Sequence, residues 1–497
     1  MNSTFYFAIT YSLSGVTMAG FENYKQNPKG SAVQSKQGFD SYSEDIQAAL
    51  KKLHVELGHK VEVTKSGKTT VGSIMPRIGG DANSLVLKLD NGYNIGIAFS
   101  SNVKIAKAKE EKELRKAATA VRTGASAPVN PQKPTIAILH TGGTIASRLD
   151  YRTGAVEPLF TAEDILSMYP ELAAIANVRA RVIFQLLSED MEPEHWAALA
   201  REVYHEIREE GCDGVIITHG TDTMHYTAAA MAFMLRDLPV PVLLVGSQRS
   251  ADRPSSDAGI NLVSAARFIA GSNWSGVGVC MHASPSDETC WVLPAARCRK
   301  MHTSRRDTFR PIDVQPIAKI NVALNAIEMI AQNYPKKDMS RTPKLDNVFE
   351  PHVALVKMRP GFRADELKWY AENCHGIVLE GTGLGHAPIN HNDEATRNHP
   401  KLLKLLENMK NKCNVFMASQ CPYGRVNLNV YSTGRELQKA GVLPAFMTAE
   451  TAFVKLCWVL GHTKERQKVK EMMAQDVAGE TYGRAELDAF PDKEMEK

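Results

Sequence analysis

The sequence predicts an α/β chain built on a parallel sheet, preceded by a small all-β barrel domain. Three observations predict it. Beyond Pro134, short apolar runs alternate with helix-period segments; before it, short period-two runs are separated by turn residues; a stretch rich in Thr, Gly, Ser, Pro and Asn stands between the two regions. Strand, loop and helix in repetition signal parallel strands joined by crossover helices. Short alternating runs with tight turns signal antiparallel strands.

Residues 1–42 read as an irregular extension. Phe5 to Met18 is apolar, but no Lys or Arg precedes it, which argues against a secretory signal; a start at Met18 would account for it. Residues 43–105 read as the barrel. Its strand candidates are Lys60–Val63, Thr70–Ile74, Ser84–Leu89 and Tyr93–Ile97. Asp90-Asn91-Gly92 between the last two suits a primed hairpin turn. No acid–base cluster lies inside this region, so docking or binding is the expected use. Residues 106–133 read as a charged helix, Ala106 to Arg122, and a linker.

With 497 residues, 43% hydrophobic and 23% charged, the chain can bury more than one core. The formal net charge of +4 comes without a dense Lys/Arg block interleaved with aromatics. A nucleic-acid neighbour is tolerated, not indicated. All eight cysteines lie at or beyond Cys212 in no metal-like spacing, the usage of reduced thiols in a cytoplasmic protein. No apolar run is long enough to cross a bilayer.

Buried strands are expected at Thr135–Leu139, Gly214–Thr218, Pro241–Val245, Gly276–Cys280, Val353–Val356, Gly376–Leu379 and Asn414–Met417, with helices at Trp196–Glu209 and Thr223–Leu235 among those between them. In such sheets ligands gather beyond the carboxyl ends of the strands. Two of those ends stand out. One is His140-Thr141-Gly142-Gly143-Thr144-Ile145-Ala146, where paired glycines allow close backbone approach and hydroxyls offer a nucleophile. The other is His219-Gly220-Thr221-Asp222-Thr223-Met224. Each has a plain reading: the first as a glycine-rich loop, the second as a helix cap. Caps do not explain a second hydroxyl-rich strand end in the same sheet.

Taken together, these two segments resemble the paired signatures of the bacterial-type L-asparaginase family, and the resemblance runs from about Pro134 to at least Gly461. It implies a two-lobed catalytic region, with lobes at 134–340 and 341–497. Thr144 matches the family's nucleophile and Tyr151 the tyrosine that assists it. Ser188 and Glu189 match the pair that holds the substrate's α-carboxylate and α-ammonium, and Thr221 and Asp222 match the second threonine and the ammonium-binding aspartate. Lys300 falls at the place of the catalytic lysine, and Gly246-Ser247-Gln248-Arg249 matches a further block. Chemically, a threonine hydroxyl needs a base or proton relay, here Tyr151 or a Thr221–Lys300 pair. Amides near Gly142 and Gly143 suit a developing oxyanion. Which threonine attacks first stays open. Lys300 also reads as a surface charge among Arg297, Arg299, Arg305 and Arg306, and Tyr151 as a loop aromatic.

The barrel narrows the resemblance. Met75-Pro76-Arg77, the segment Leu89 to Ile97, Arg299 to Phe309, Gly381 to His386 and Ser419 to Val426 together are similar to the D-type subunits of archaeal glutamyl-tRNA(Gln) amidotransferases. That likeness implies a cytoplasmic glutaminase, self-paired within a heterotetramer, that passes ammonia to the E-type subunit of the amidotransferase. That partner would amidate Glu-tRNA(Gln) with ATP and Mg2+; the present chain would need no cofactor or metal. No G-x-x-x-x-G-K-[ST] phosphate loop occurs here, in keeping with that division. A free-standing asparaginase with an accessory barrel is the alternative, and a catalytically silent scaffold a third reading.

Overall fold

The structure, a computed structural model, describes residues 42–75, 82–88, 94–108, 130–143, 145, 147–149, 156–158, 165–166, 168–249 and 256–483. The expectations for residues 1–41, for the charged helix beyond residue 108, and for Thr144 and Tyr151 lie outside these.

The chain enters through α1 (Glu44–Lys52), with Glu44 and Asp45 in its first turn and Lys51 and Lys52 in its last. That polarity complements the helix dipole. Five antiparallel strands follow: β1 (Lys60–Lys65), β2 (Lys68–Ile74), β3 (Ser84–Lys88), β4 (Asn94–Ala98) and β5 (Lys104–Lys107), in the order β4-β3-β2-β1-β5. Period-two alternation turns Val61, Val63, Leu85 and Leu87 onto Ile46 and Leu50 of α1. One sequence expectation is corrected here. Ala106 and Lys107 were expected to open a charged helix, but they pair with Glu62 and Val61 in β5, because a sheet edge needing a partner outweighs local helix preference.

A second, eight-stranded sheet begins at β6 (Thr135–Gly142) and continues with β7 (Asn177–Leu186), β8 (Gly214–Thr218), β9 (Pro241–Val245), β10 (Gly276–His282) and β11 (Thr289–Pro294). The chain then makes a separate antiparallel pair, β12 (Cys298–Lys300) with β13 (Phe309–Pro311), before returning to the sheet as β14 (Ala318–Asn321) and β15 (Ala326–Met329). The spatial order is β15-β14-β11-β10-β9-β8-β6-β7. β6 to β10 run parallel, and β11, β14 and β15 extend the sheet antiparallel.

Both faces of the central strands are covered, so their sequences are nearly unbroken apolar runs. Leu139, Ile217 and Leu244 face one core, shared with α2 (Pro193–Arg208) and α3 (Met224–Met234). Ile138, Ile216 and Leu243 face the other, shared with α4 (Ala258–Gly271).

Strand order decides where a site can form. β6 has β7 on one side and β8 on the other, so the chain reverses its direction of travel across the sheet there. The crevice beyond the carboxyl ends at such a switch point is where open α/β sheets bind ligands.

The C-terminal lobe is a smaller parallel sheet, β16 (Val353–Lys357), β17 (Gly376–Gly381), β18 (Asn414–Ser419) and β19 (Leu443–Pro444), ordered as numbered. α5 (Ala364–Asn373) and α6 (Pro400–Met409) supply Leu367, Leu402 and Leu406 to its core. α7 (Ala449–His462) joins the lobes by packing on α3 and on β17, and α8 (Arg466–Ala474) packs against α7. Among the described residues no helix is long and apolar enough to cross a membrane.

Candidate active site

The register of three adjacent strands brings the two hydroxyl-rich ends together. Thr218 at the end of β8 lies beside His140 of β6 and Val245 of β9, so the loops after residues 142, 218 and 245 leave the sheet side by side. Gly143 has φ +76, and a Cβ there would lie 2.9 Å from the Cα and N of Gly220. Only glycine lets those two backbones meet. A Cβ on Gly246 would lie 2.6 Å from Thr221 Cγ2, so the third loop closes equally tightly on the second.

Buried imidazoles hold this assembly from below. His219 Nδ1 is 2.7 Å from Gly220 O, and its Nε2 is 2.9 Å from Thr227 Oγ1. A carbonyl only accepts, so the proton sits on Nδ1 and the Thr227 hydroxyl donates to Nε2. Trp196 Nε1 donates to that hydroxyl at 3.0 Å. Burial lowers His219 from 6.5 to about 4, and His140, 2.7 Å from Thr218 Oγ1, likewise falls to about 4. Both are neutral struts near neutral pH.

The ionic part of the site comes from far along the chain. Lys300, at the end of β12, donates to Asp222 Oδ1 at 2.6 Å and to Thr221 Oγ1 at 3.0 Å. Its side chain is 11% exposed, whereas that of Asp222 is 68% exposed. The alternative of a solvated charge in a basic loop therefore does not hold for Lys300. Its arginine neighbours are engaged elsewhere: Arg299 pairs with Glu450 at 2.7 Å, and Arg305 and Arg310 grip the buried Asp307 at 2.7 and 2.6 Å. Burial alone would raise Asp307, but those two guanidinium groups hold its carboxyl below the ordinary value.

The remaining expected residues sit around this cluster. Ser188 is buried in the turn Ser188–Asp190; its carbonyl accepts from Thr223 Oγ1 at 2.5 Å, and its side chain abuts Gly220. Glu189 is exposed on the same turn. Gly143 lies against Gly220 as described. Thr144 and Tyr151 fall outside the described residues, although Gly143 and Ile145 on either side of Thr144 are within them. Thus Thr221, Asp222, Lys300, Ser188 and Gly143 come together at one crevice.

Two contributors were not read from the sequence. His219 was seen only as part of a strand end. Gln248 was seen only within a matching block, yet its neighbours orient its amide so that Oε1 accepts from Thr221 Oγ1 at 2.8 Å and from Lys300 Nζ at 3.2 Å. A glutamine in a loop carries no signal of its own; its position just past the end of β9, next to β8 in the sheet, was the available clue.

Among the described residues, one group could hold a metal ion: Glu350, His352 and His375, whose donor atoms lie within 4.8 Å of one another. Lys464 Nζ donates to Glu350 and lies 3.0 Å from His375 Nδ1, so an ammonium already fills that space. The group stands at the amino ends of β16 and β17, not at a strand's carboxyl end.

A lysine shared between a threonine hydroxyl and a carboxylate, beside a tight glycine loop, can move a proton while a substrate ammonium sits on the exposed carboxylate. Known proteins are similar to this chain over most of its length. Residues 135–332 match the asparaginase N-terminal family, residues 352–473 the glutaminase/asparaginase C-terminal domain, and residues 55–107 the GatD N-terminal domain. The thermostable L-asparaginase of Thermococcus kodakarensis superposes with a TM-score of 0.61 at 33% identity, covering 70% of this chain and 100% of its own. The D-type subunit of the glutamyl-tRNA(Gln) amidotransferase of Methanothermobacter thermautotrophicus is 44% identical over 454 residues, 90% of this chain and 99% of its own length. Its counterpart from Pyrococcus furiosus is 46% identical over 444 residues, 88% and 97% respectively. The chain is an asparaginase-type enzyme and belongs to the D-type subunit family of the glutamyl-tRNA(Gln) amidotransferases.

Proposed function

We propose that this chain hydrolyses glutamine and supplies the ammonia to a partner subunit that converts Glu-tRNA(Gln) to Gln-tRNA(Gln). The observation that carries the reading is the Thr221–Lys300–Asp222 cluster, set in a chain that aligns with D-type relatives over about nine tenths of its length. In the reaction, the Thr144 hydroxyl attacks the side-chain amide carbon of glutamine. A carbon–oxygen bond forms, the carbon–nitrogen bond breaks, and the hydroxyl proton ends on the departing ammonia. Water then opens the acyl ester, releasing glutamate and restoring the threonine. Lys300 moves protons through Thr221, and Tyr151 assists Thr144. Asp222 and Glu189 hold the substrate ammonium, Ser188 its carboxylate, and backbone amides near Gly143 the oxyanion.

ATP and Mg2+ belong to the partner, an E-type subunit, and this chain works without cofactor or metal of its own. The working assembly is a cytoplasmic heterotetramer in which the chain pairs with a second copy of itself. The competing reading is a free-standing asparaginase, for which the match to an L-asparaginase over 70% of this chain is the ground. Two measurements separate them. Glutamine hydrolysis should rise when the partner and Glu-tRNA(Gln) are added. Brisk asparagine turnover by the chain alone, indifferent to both additions, would favour the competitor. Thr144→Val tests the nucleophile: the fold should survive and hydrolysis stop.

A further inference from the structure

Gln248 sits where the proton of the Lys300–Thr221 pair is decided. A lysine ammonium has three donors, and three acceptors meet it: Asp222 Oδ1 at 2.6 Å, Thr221 Oγ1 at 3.0 Å and Gln248 Oε1 at 3.2 Å. Because Thr221 Oγ1 accepts from Lys300, its own hydrogen points to Gln248 Oε1, 2.8 Å away. The three side chains form a closed ring in which each ammonium hydrogen and the threonine hydrogen has an acceptor. Such a ring aims the threonine proton away from the lysine.

The amide is itself held on two sides. Its Nε2 donates to Thr303 O at 3.2 Å, within the turn that joins β12 to β13. Its backbone N donates to Asp257 Oδ2 at 3.0 Å, and Arg249 N donates to Asp257 Oδ1 at 2.9 Å. Asp257 is fully buried and also accepts from Asn261 Nδ2 at 3.0 Å, whose amide in turn donates to Gly246 O at 3.0 Å. Residues 246–249 are therefore fixed from the start of α4, and Gln248 bridges them to the hairpin that carries Lys300.

We propose that Gln248 is a positioning residue of the hydrolysis: its amide oxygen completes the shell of the Lys300 ammonium and stores the Thr221 proton in the resting site. For the lysine to take that proton, its ammonium must first pass one of its own to solvent by way of the exposed Asp222 carboxylate, and the hydroxyl must leave Gln248 and turn to the neutral amine. Rotating the amide to present Nε2 would then favour the new arrangement, since the nitrogen donates to the threonine oxygen that the proton has left. This inference rests on the reading of Lys300 and Thr221 as the relay.

The test is the pH dependence of glutamine hydrolysis by the complex assembled with its amidating partner and Glu-tRNA(Gln). The charged and titratable groups gathered at this point are Asp222, His219, His225 of α3, and Arg299 with its partner Glu450 of α7; all are unchanged in the variants. Gln248→Met removes an acceptor from the ammonium, so the acid side of the turnover profile should move to lower pH. Gln248→Glu adds a negative acceptor, so it should move to higher pH. Each displacement should reach roughly one pH unit, the lower end of the scale of one hydrogen bond to a charged group, with KM for glutamine within about threefold. A purely structural residue would move neither limb, and unchanged profiles in both variants overturn the proposal. Should Gln248→Met melt early, the isosteric Gln248→Glu decides alone. Lys300→Met in the same assay separates the two claims. If it retains wild-type turnover, the relay reading itself falls; if it is inactive while both Gln248 variants keep the wild-type profile, only the role of Gln248 does.

Discussion

Lys300 and Lys455 are each bonded to a carboxylate, and they do different work. Lys455 of α7 and Glu480 are both fully buried; the ammonium also donates to the carbonyls of Met473, at 3.1 Å, and Gln475. Burial lowers Lys455 from its ordinary value, and Glu480 only partly offsets this. Every neighbour is an acceptor with no proton to give, so the pair ties the C-terminal segment onto α7 and α8. Lys300 has a largely exposed carboxylate on one side and a hydroxyl on another. Only that second environment offers a proton to move and a route for substrate to reach it. Pairing alone does not mark a catalytic lysine; the chemistry of its other contacts does.

The same substitution at the two lysines should give opposite outcomes. Lys455→Met leaves Glu480 buried without its cation and should destabilise the fold by about 3–5 kcal/mol. Whatever protein remains folded should hydrolyse glutamine at the wild-type rate per molecule. Chemical denaturation and active-site-normalised kinetics measure both. Lys300→Met should do the reverse, lowering turnover by roughly two orders of magnitude with little change in denaturation midpoint. Loss of stability at Lys300, or loss of turnover per folded molecule at Lys455, would erase the distinction.

A pair of glycines extends the contrast between site and scaffold. Gly143 and Gly361 both have φ +76, but a Cβ on Gly143 meets Gly220 at 2.9 Å, whereas one on Gly361 meets nothing within 4 Å. Gly361→Ala should therefore cost about 1 kcal/mol of backbone strain and leave turnover alone. Gly143→Ala should add a steric penalty, about 1–3 kcal/mol in all, and lower turnover by prising the two catalytic loops apart. Equal effects in melting and kinetic assays would mean that the loop contact is unimportant.

A further contrast concerns pH. His219 is lowered from 6.5 to about 4 by burial. The unfolded chain takes up a proton as pH falls through 6.5, while the folded chain refuses it until about 4. Stability from this group is thus complete above 6.5 and lost progressively down to about 4. His140 adds to the same window. Melting temperature should fall across it, and less steeply in His219→Gln; an equally steep fall in that variant would place the acid sensitivity elsewhere.

The parts of this architecture that could be read from residues alone are those dominated by local patterning. β8 and β9 coincide with the expected Gly214–Thr218 and Pro241–Val245, because strands buried on both faces spell themselves as apolar runs. β7 was not foreseen. It is an edge strand whose apolar pattern is interrupted by Arg179 and Arg181, and those arginines make sense only once Glu202, Glu206 and Glu210 of the neighbouring helix and its C-terminal turn lie beside them. The antiparallel strands from β11 to β15 were missed for a similar reason, being short and partly exposed. In the site, Thr221 and Asp222 were visible as a strand end. Lys300, 78 residues beyond Asp222, was reachable only through family resemblance, and no local rule points to Gln248 at all.

If ammonia is made at the Thr221–Lys300–Asp222 cluster of this chain and used elsewhere, the two steps can be separated by one substitution. Thr221→Val removes the hydroxyl at nearly constant volume. Gln-tRNA(Gln) formation by the assembled complex should be measured with glutamine and then with ammonium chloride as nitrogen donor. Product should fall sharply with glutamine and return to the wild-type level with ammonium. Undiminished product with glutamine would mean that the Thr221 hydroxyl takes no part in releasing ammonia.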